Sequence, residues 1–146
     1  MNTILIILAC VFSSQISAKT LDDKPINFEQ LPTQSQQLIK NHFSELSIAL
    51  VKMDSDFLDK SYEVIFTNGN KIEFDRKGNW KEIDCKRTQC PDELIPVQIK
   101  DYVKQHYPNN RICKIEKETW NGYEVNLSNG LSLEFDSNFR LIDIGD

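Results

Sequence analysis

The stretches NGNKIEFD, residues 68–75, and NGLSLEFD, residues 129–136, decide the fold of this chain. Each closely follows a Tyr-Glu-Val segment, which begins at Tyr62 in one case and at Tyr123 in the other. An Asn-Gly pair between two alternating apolar runs is typical of a β-hairpin. The sequence therefore predicts the same hairpin twice.

The similarity extends upstream of the hairpins, where Leu31-Pro32 matches Ile95-Pro96 and His42-Phe43 matches His106-Tyr107. Apolar side chains at helical spacing follow each proline, and further short strand-like segments flank each hairpin. Self-similarity on this scale indicates a duplicated unit of one helix and four strands. Because the connections are short, we expect each unit to be an antiparallel meander with its helix across one face.

The hairpin register follows from which side chains must share a face. A two-residue turn would place Val64 opposite Glu73 and would mix apolar and charged side chains on both faces. A three-residue loop that ends in a left-handed glycine, at Gly69 and Gly130, removes this conflict. We therefore predict a type I turn with a glycine bulge, and the facing apolar pairs Tyr62–Phe74, Val64–Ile72, Tyr123–Phe135, Val125–Leu133 and Leu127–Leu131.

The same register places carboxylates on the other face, with like charges opposite each other. This candidate acidic face comprises Glu63, Glu73, Asp75, Glu124, Glu134 and Asp136. Like charges directly opposite each other cost up to about 1 kcal/mol, so their presence in both halves needs a reason. Three interpretations stay open: a solvated outer face, a binding face for a basic protein, and a general-acid pair like that of glycosidases, which would require an enclosed pocket.

Two loops offer further candidates. Trp120 lies near a loop tip, where it serves either as a binding anchor or as packing over the end of the sheet. The acidic loop at residues 54–59 lacks the glycine of a calcium-binding EF-hand loop and has Leu58 at a ligand position, so we interpret this loop as solvated. We expect no metal site and no cofactor.

The N-terminus predicts export. The segment MNTILIILACVFSSQISA, residues 1–18, carries an apolar run that is too short to span a bilayer and is typical of a secretory signal. We expect cleavage after Ala18; in the alternative, Cys10 is acylated and the protein is a lipoprotein. The formal charge of −5 gives no electrostatic basis for binding nucleic acid.

Three cysteines remain after cleavage of the signal. Cys85 and Cys90 enclose a short loop, and in an oxidising compartment this arrangement predicts a disulfide. Cys113 lies in an apolar strand segment, where we expect a small core residue. The spacing of the cysteines does not fit a zinc site.

Several motifs together resemble one family of bacterial envelope proteins. They are Leu31-Pro32, Ile95-Pro96, Tyr107-Pro108, the two Tyr-Glu-Val segments, the Asn-Gly hairpins, and Glu-Phe-Asp followed by Gly78-Asn79-Trp80. Their repeated order is similar to that of the PepSY-like, beta-lactamase-inhibitor-like periplasmic proteins. The resemblance implies an α+β fold in which two tandem helix-plus-four-strand repeats form one curved antiparallel sheet, with the helices on one face and a concave face left open.

The chain accordingly divides into a signal peptide (1–18), an N-terminal lead (19–30), a first PepSY-like repeat (31–84), a linker (85–94) and a second PepSY-like repeat (95–146). The resemblance implies a periplasmic or secreted module without enzymatic activity, which binds an unknown envelope protein and inhibits or regulates an envelope enzyme. We expect a monomer without a transmembrane segment. The alternatives are a hydrolase that uses the paired carboxylates and a lipid-anchored structural component of the envelope.

Overall fold

Within residues 23–146, nine antiparallel strands form one open sheet, in which every strand pairs with its neighbours in sequence. The computed structural model describes residues 23–146, so the predicted signal peptide and the Cys10 alternative lie outside the described residues. In chain order the elements are β1 (Asp23–Pro25), a 3-10 turn (Phe28–Gln30), α1 (Thr33–His42), β2 (Ile48–Ser55), β3 (Lys60–Phe66), β4 (Lys71–Asp75), β5 (Trp80–Asp84), a second 3-10 turn (Asp92–Leu94), α2 (Val97–His106), β6 (Ile112–Lys117), β7 (Tyr123–Leu127), β8 (Ser132–Phe135) and β9 (Leu141–Gly145). The predicted α+β class with an antiparallel sheet is confirmed.

The two helices begin directly after prolines. Pro32 and Pro96 occupy the N-cap positions, where both have extended backbone angles. α2 ends at His106, two residues before Pro108, because a proline cannot donate the backbone hydrogen bond that would continue the helix. Each helix is followed by four strands, although the duplication itself stays a prediction.

The two hairpins have the predicted geometry. Gly69 and Gly130 have φ angles of +90° and +91°, and the Phe66 amide donates a 2.9 Å hydrogen bond to the Asn70 carbonyl. These features define a type I turn followed by a glycine bulge. The predicted register is confirmed by the strand pairs Tyr62–Phe74, Val64–Ile72, Tyr123–Phe135 and Val125–Leu133, and the Leu127 amide donates to the Leu131 carbonyl at 2.8 Å.

The core lies between the sheet and the two helices. Alternate strand residues such as Val64, Ile72 and Leu133 are fully buried, and they belong to the same apolar cluster as Ile39 of α1 and Ile99 of α2. Side chains at the intervening strand positions therefore lie on the opposite side of the sheet, because successive residues of a strand point to opposite faces. We call this side the open face.

The segments outside the two predicted repeats also contribute to the fold. The N-terminal lead contributes β1, which pairs with β2 and adds a ninth strand at the edge of the sheet. The predicted linker contains the 3-10 turn Asp92–Leu94 and the buried residues Cys85 and Cys90.

Candidate functional site: a carboxylate row on the open face

One acidic side chain from each of seven consecutive strands lies in a single cross-strand row on the open face. The strand registers place each of these residues directly opposite the next. We call this set the carboxylate row; it consists of Glu63, Glu73, Glu82, Glu116, Glu124, Glu134 and Asp143. Adjacent strands are about 4.8 Å apart, so the row holds a line of negative charge that is costly unless cations lie close by.

Lys71 supplies the cation in the first half of the row. Its ammonium nitrogen lies 3.6 Å from Glu63, 3.0 Å from Glu73 and 3.4 Å from Glu82. Burial lowers the pKa of Lys71, but the hydrogen bond to Glu73 and the charges of the three carboxylates outweigh burial, so the net pKa is raised. One lysine therefore compensates three members of the row.

Lys52 and Lys114 extend this compensation on either side. The Lys52 ammonium lies 3.0 Å from Glu63, and the Lys114 ammonium lies 3.3 Å from Glu82. The hydrogen bond to Glu63 is the main cause that raises the pKa of Lys52. Burial opposes the charged form of Lys114, yet Glu82 raises the net pKa of this lysine as well.

The second half of the row lacks such partners. Within residues 23–146, Glu124, Glu134 and Asp143 form no salt bridge with a lysine, arginine or histidine. The reason lies in the neighbouring cross-strand row, two residues further along each strand. In that row, β4 carries Lys71 and β6 carries Lys114. In β7 and β8 the same row continues with the neutral side chains of Asn126 and Ser132.

Glu118, directly after β6, lies in the negative field of these carboxylates. Burial raises the pKa of Glu118, and the charges of Glu116, Glu124 and Glu134 raise it further. Glu118 also has no salt bridge among the described residues. We call Glu118, Glu124, Glu134 and Asp143 the unpaired patch.

Two predicted members of the acidic face have another role. Asp75 Oδ1 accepts hydrogen bonds from the backbone amides of Lys77 at 2.8 Å and Asn79 at 2.9 Å, and thereby closes the β4–β5 turn. Asp136 Oδ1 does the same in the β8–β9 turn, where it accepts from the amides of residues 138 and 140. Neither residue belongs to the carboxylate row.

Burial alone would raise the pKa of Asp75. The hydrogen bonds from the Asn79 side chain and from the backbone amides of Asn79, Lys77 and Gly78 outweigh that effect, and the net pKa lies below the ordinary value. The charge of Asp75 is thus committed to its own turn.

Trp120 is partly exposed and partly packed. Its side chain is 43% exposed, and its ring lies against the backbone of Gly122, where an added Cβ would collide with it. Its role as a binding anchor stays a prediction.

The large apolar side chains with the highest exposed fractions among the described residues are in a loop that the sequence interpretation treated as merely acidic. Phe57 and Leu58 are 100% and 83% exposed at the tip of the β2–β3 loop. Asp56 accepts from the Leu58 amide at 3.0 Å and Asp59 from the Lys60 amide at 2.8 Å, so these carboxylates shape the loop itself. Isolated apolar side chains on a surface are ordinary, but a fully exposed aromatic side chain at a loop tip is the type of residue that anchors protein interfaces.

The three described cysteines are buried thiols in the structure. The Cys85 amide donates to the Cys113 carbonyl at 2.8 Å, which brings the β5–β6 connection close to β6. The neighbouring Cys85 sulfur and burial raise the pKa of Cys90, and burial raises that of Cys113. The Cys85–Cys90 disulfide stays a prediction.

The arrangement of the acidic side chains bears on the metal and hydrolase interpretations. Within residues 23–146, no group of three or more His, Cys, Asp or Glu side chains is arranged to hold a metal ion. Glu63 and Glu73 line a partly enclosed groove together with Asp23, Lys52 and Ser61. Neither of the two described helices is long and apolar enough to cross a membrane.

Comparison with known proteins identifies relatives of the chain. A sequence model described as "Putative beta-lactamase-inhibitor-like, PepSY-like" matches residues 60–143. No curated protein matches the chain.

Three solved structures are similar over almost their whole length. A "putative calcium-regulated periplasmic protein" from Bacteroides thetaiotaomicron is 57% identical, covers 86% of this chain and 98% of its own, and has a TM-score of 0.82. A "putative periplasmic protein" of the DUF2874 family from Bacteroides vulgatus is 49% identical, with coverages of 86% and 98% and a TM-score of 0.82. A second putative periplasmic protein from Bacteroides vulgatus, described as of unknown function, is 35% identical, with coverages of 85% and 99% and a TM-score of 0.79.

Proposed function

The chain belongs to the PepSY-like, beta-lactamase-inhibitor-like family, and we propose that it is a non-enzymatic periplasmic module that binds a basic surface of another protein through its unpaired patch. The partner that this proposal favours is an envelope enzyme, which the module inhibits or regulates. The family description supports the inhibitory role, and the solved relatives, which are described as periplasmic, support the location.

One observation carries the proposal. Lysines compensate the carboxylate row from Glu63 to Glu82, whereas Glu124, Glu134 and Asp143 have no cation among the described residues. A face that only needed to be soluble would gain nothing from like charges aligned across adjacent strands. A basic partner would supply the missing cations, and it would also accelerate its own association through electrostatic attraction.

The loop tips supply apolar anchors for the same partner. The β2–β3 and β6–β7 loops, which carry Phe57 and Trp120, lie at the same end of the sheet because the strands alternate in direction. They are four strand spacings apart, or about 19 Å, a distance within one standard protein interface. Exposed aromatic side chains beside a charged surface are the usual composition of an interface with a few dominant contacts.

The proposed duplication gives this asymmetry a simple origin. If β2–β5 and β6–β9 derive from one unit, Lys71 and Ser132 occupy matching positions, as do Glu63 and Glu124. One copy would then have kept the cation that neutralises its carboxylates, while the other copy lost it and became the binding surface. The concave shape implied by the family resemblance would further increase the contact area.

A carboxylate-dependent hydrolase is less consistent with the site. A general acid of the glycosidase type needs a carboxyl group that is desolvated and separated in environment from its partner. Glu63 and Glu73 instead share Lys71 at 3.6 Å and 3.0 Å, and the groove that they line is only partly enclosed.

Calcium is a second candidate ligand, and the observation that favours it is the relative from Bacteroides thetaiotaomicron, which is described as calcium-regulated. Carboxylate oxygens are the preferred ligands of calcium. Because no three His, Cys, Asp or Glu side chains within residues 23–146 are arranged as a metal site, calcium would have to draw carboxylates of the unpaired patch together, and it would then compete with a basic partner. Calcium should then reduce the captured amount of partner more than the same concentration of magnesium does.

Affinity capture from envelope extract tests the proposal. The mature chain is immobilised beside two variants, Glu124→Gln with Glu134→Gln and, as the matched control, Glu63→Gln with Glu73→Gln. We expect the wild type and the control to retain the same protein and the second-copy variant to lose it. Since exposed charges are screened by salt, the captured amount should also fall between low and physiological ionic strength.

Two outcomes would contradict the proposal. Equal capture by both variants would remove the unpaired patch from the interface. A captured protein whose contact surface is acidic would exclude the charge complementarity on which the proposal depends.

A further inference from the structure

The two edge strands of the open sheet differ in how they are protected against further strand pairing. β1 is three residues long and carries Asp23, Lys24 and Pro25. The Ile26 amide points toward β2 and donates to the Val51 carbonyl at 2.9 Å. Because backbone amides alternate in direction along a strand, the amide at position 25 would point away from the sheet, and this position is occupied by Pro25. Proline and charges on a short strand are the usual devices that block an edge.

The apolar residues of β9 are not shielded by a proline or by a charge in this way. Ile142 is 53% exposed and Ile144 is 49% exposed. The matching residue of Ile144 in the first half is Ile83, which is fully buried because β6 pairs with β5 and covers it. At β9 no described strand takes the place of β6.

We propose that β9 is a docking site for an extended segment of another protein, which adds to the sheet as a tenth, antiparallel strand. Its backbone would pair with the amide and carbonyl groups of β9 that point away from β8. An apolar side chain of the segment would cover Ile144, as Ile115 covers Ile83. This proposal shares Asp143 and Glu134 with the unpaired patch, but it does not require the partner proposed for that patch.

Charge determines which kind of segment fits. Asp143 ends the carboxylate row, and it lies opposite Glu134, which has no cation of its own among the described residues. In the interior of the sheet, Lys114 of β6 lies 3.3 Å from Glu82, the residue that matches Asp143. The occupant therefore alternates apolar residues on the helix side with lysine or arginine on the open face.

A second copy of the chain fits this edge poorly. Antiparallel pairing of β9 with its own copy would bring Asp143 and Glu134 of the two chains together, and each chain already has a net charge of −5. Like charges placed directly opposite each other across strands are destabilising. A basic segment has no such conflict.

The chain itself provides the template for a probe. The probe is a blocked synthetic peptide with the sequence of residues 111–117 that carries the changes Cys113→Ser and Glu116→Lys, so that Ile115 has a lysine on each side. A second peptide is identical except that alternate backbone amides are N-methylated, which removes donors without changing the charge. Binding is followed by amide chemical shifts of the full mature chain.

We expect the peptide to shift and protect amides of β9 and the N-methylated peptide to bind at least about tenfold more weakly, a difference of about 1.4 kcal/mol. Ile144→Lys and Asp143→Lys should each weaken binding to a similar degree, while Lys81→Ala, at the matching position of Ile142 in β5, should not. Because Ile144 and Asp143 are exposed, these variants should fold as the wild type does.

Three results would overturn the proposal. Shifts confined to the carboxylate row that persist with the N-methylated peptide would show attraction by charge alone. Concentration-dependent dimerisation with protection of β9 would make a second copy the occupant. Absence of any shift at β9 at peptide concentrations in excess of the protein would exclude this edge as a docking site.

Discussion

Glu124 lies directly opposite Glu134 across β7 and β8, and neither carboxylate forms a salt bridge within residues 23–146. The equivalent pair in the first half, Glu63 and Glu73, shares Lys71. Ser132 occupies the position that matches Lys71. In addition, Glu116 lies opposite Glu124, whereas Lys52 lies opposite Glu63, so two residues separate the compensated pair from the uncompensated one.

Ser132→Lys should therefore neutralise the unpaired patch and reduce partner capture. A lysine at this position can reach Glu124 and Glu134 as Lys71 reaches its partners, and relief of the like-charge contact should raise the free energy of unfolding by about 0.5–1 kcal/mol. Urea denaturation measures the second effect. The converse change, Lys71→Ser, should lower the stability and leave capture intact; a loss of capture only in Lys71→Ser would place the interface in the first half.

Removal of the Asp75 carboxylate should destabilise the β4–β5 turn. Asp75→Ala loses two backbone hydrogen bonds to a charged acceptor, which predicts a loss of about 1.5–3 kcal/mol. Asp101→Ala, at an exposed position of α2, is the control and should stay within about 0.5 kcal/mol of the wild type. Thermal or urea unfolding that shows equal values for the two variants would contradict the role of Asp75.

The same carboxylate predicts a direction for the pH dependence of stability. The pKa of Asp75 in the folded state lies below its ordinary value of 3.8, so the folded state binds this proton less readily than the unfolded state does. The stabilisation is therefore present above about pH 4 and is lost as the pH falls through the folded pKa. Asp75→Ala should lose less stability on acidification than the wild type does, and parallel pH profiles would exclude the assignment.

Glycine is needed for different reasons at Gly78 and Gly69. Both have φ angles near +90°, but a Cβ at Gly78 would lie 2.6 Å from Pro32 Cβ, whereas a Cβ at Gly69 would have no neighbour within 4 Å. Gly69→Ala should cost about 1–2 kcal/mol through backbone strain alone. Gly78→Ala should cost about 1–3 kcal/mol more, because the β4–β5 turn would be pushed away from the start of α1. Equal unfolding free energies of the two variants would contradict this packing argument.

The number of free thiols tests the predicted disulfide directly. In the denatured mature chain, thiol titration should find one free thiol, that of Cys113, without reductant and three with it. Closure of the six-residue loop from Cys85 to Cys90 should raise the free energy of unfolding by about 2 kcal/mol in the loop-entropy model. Three free thiols in protein purified from the periplasm without reductant would disprove the bond.

The sequence predicted the hairpins well because their register depends on local alternation and on one glycine each. It did not predict β1, since a three-residue segment with a proline has no strand pattern. Phe139 illustrates the opposite case: it replaces the glycine that Gly78 would predict, yet it keeps a positive φ of 61° and stacks on Tyr123 with ring centroids 5.7 Å apart. Tertiary packing here overrides the local backbone preference.

The carboxylate row was only half visible in the sequence. Glu63, Glu73, Glu124 and Glu134 follow from the hairpins, whereas Glu82, Glu116 and Asp143 join the row through pairing between hairpins, which local patterns do not specify. The bulge between Glu73 and Phe74 further shifts the register of β5. A direct comparison of NGNKIEFD with NGLSLEFD does contain the difference between Lys71 and Ser132, and hence the signal for the unpaired patch.

Pro25 has a consequence for how copies of this protein can assemble. If a strand were added at β9, the opposite margin at β1 would still reject one, because Pro25 removes an outward donor. Head-to-tail growth of the sheet into a fibre needs an edge strand that is free to pair on both sides of the molecule. Such growth would therefore stop after a single addition. High local concentrations of the protein would thus not produce filaments by this route.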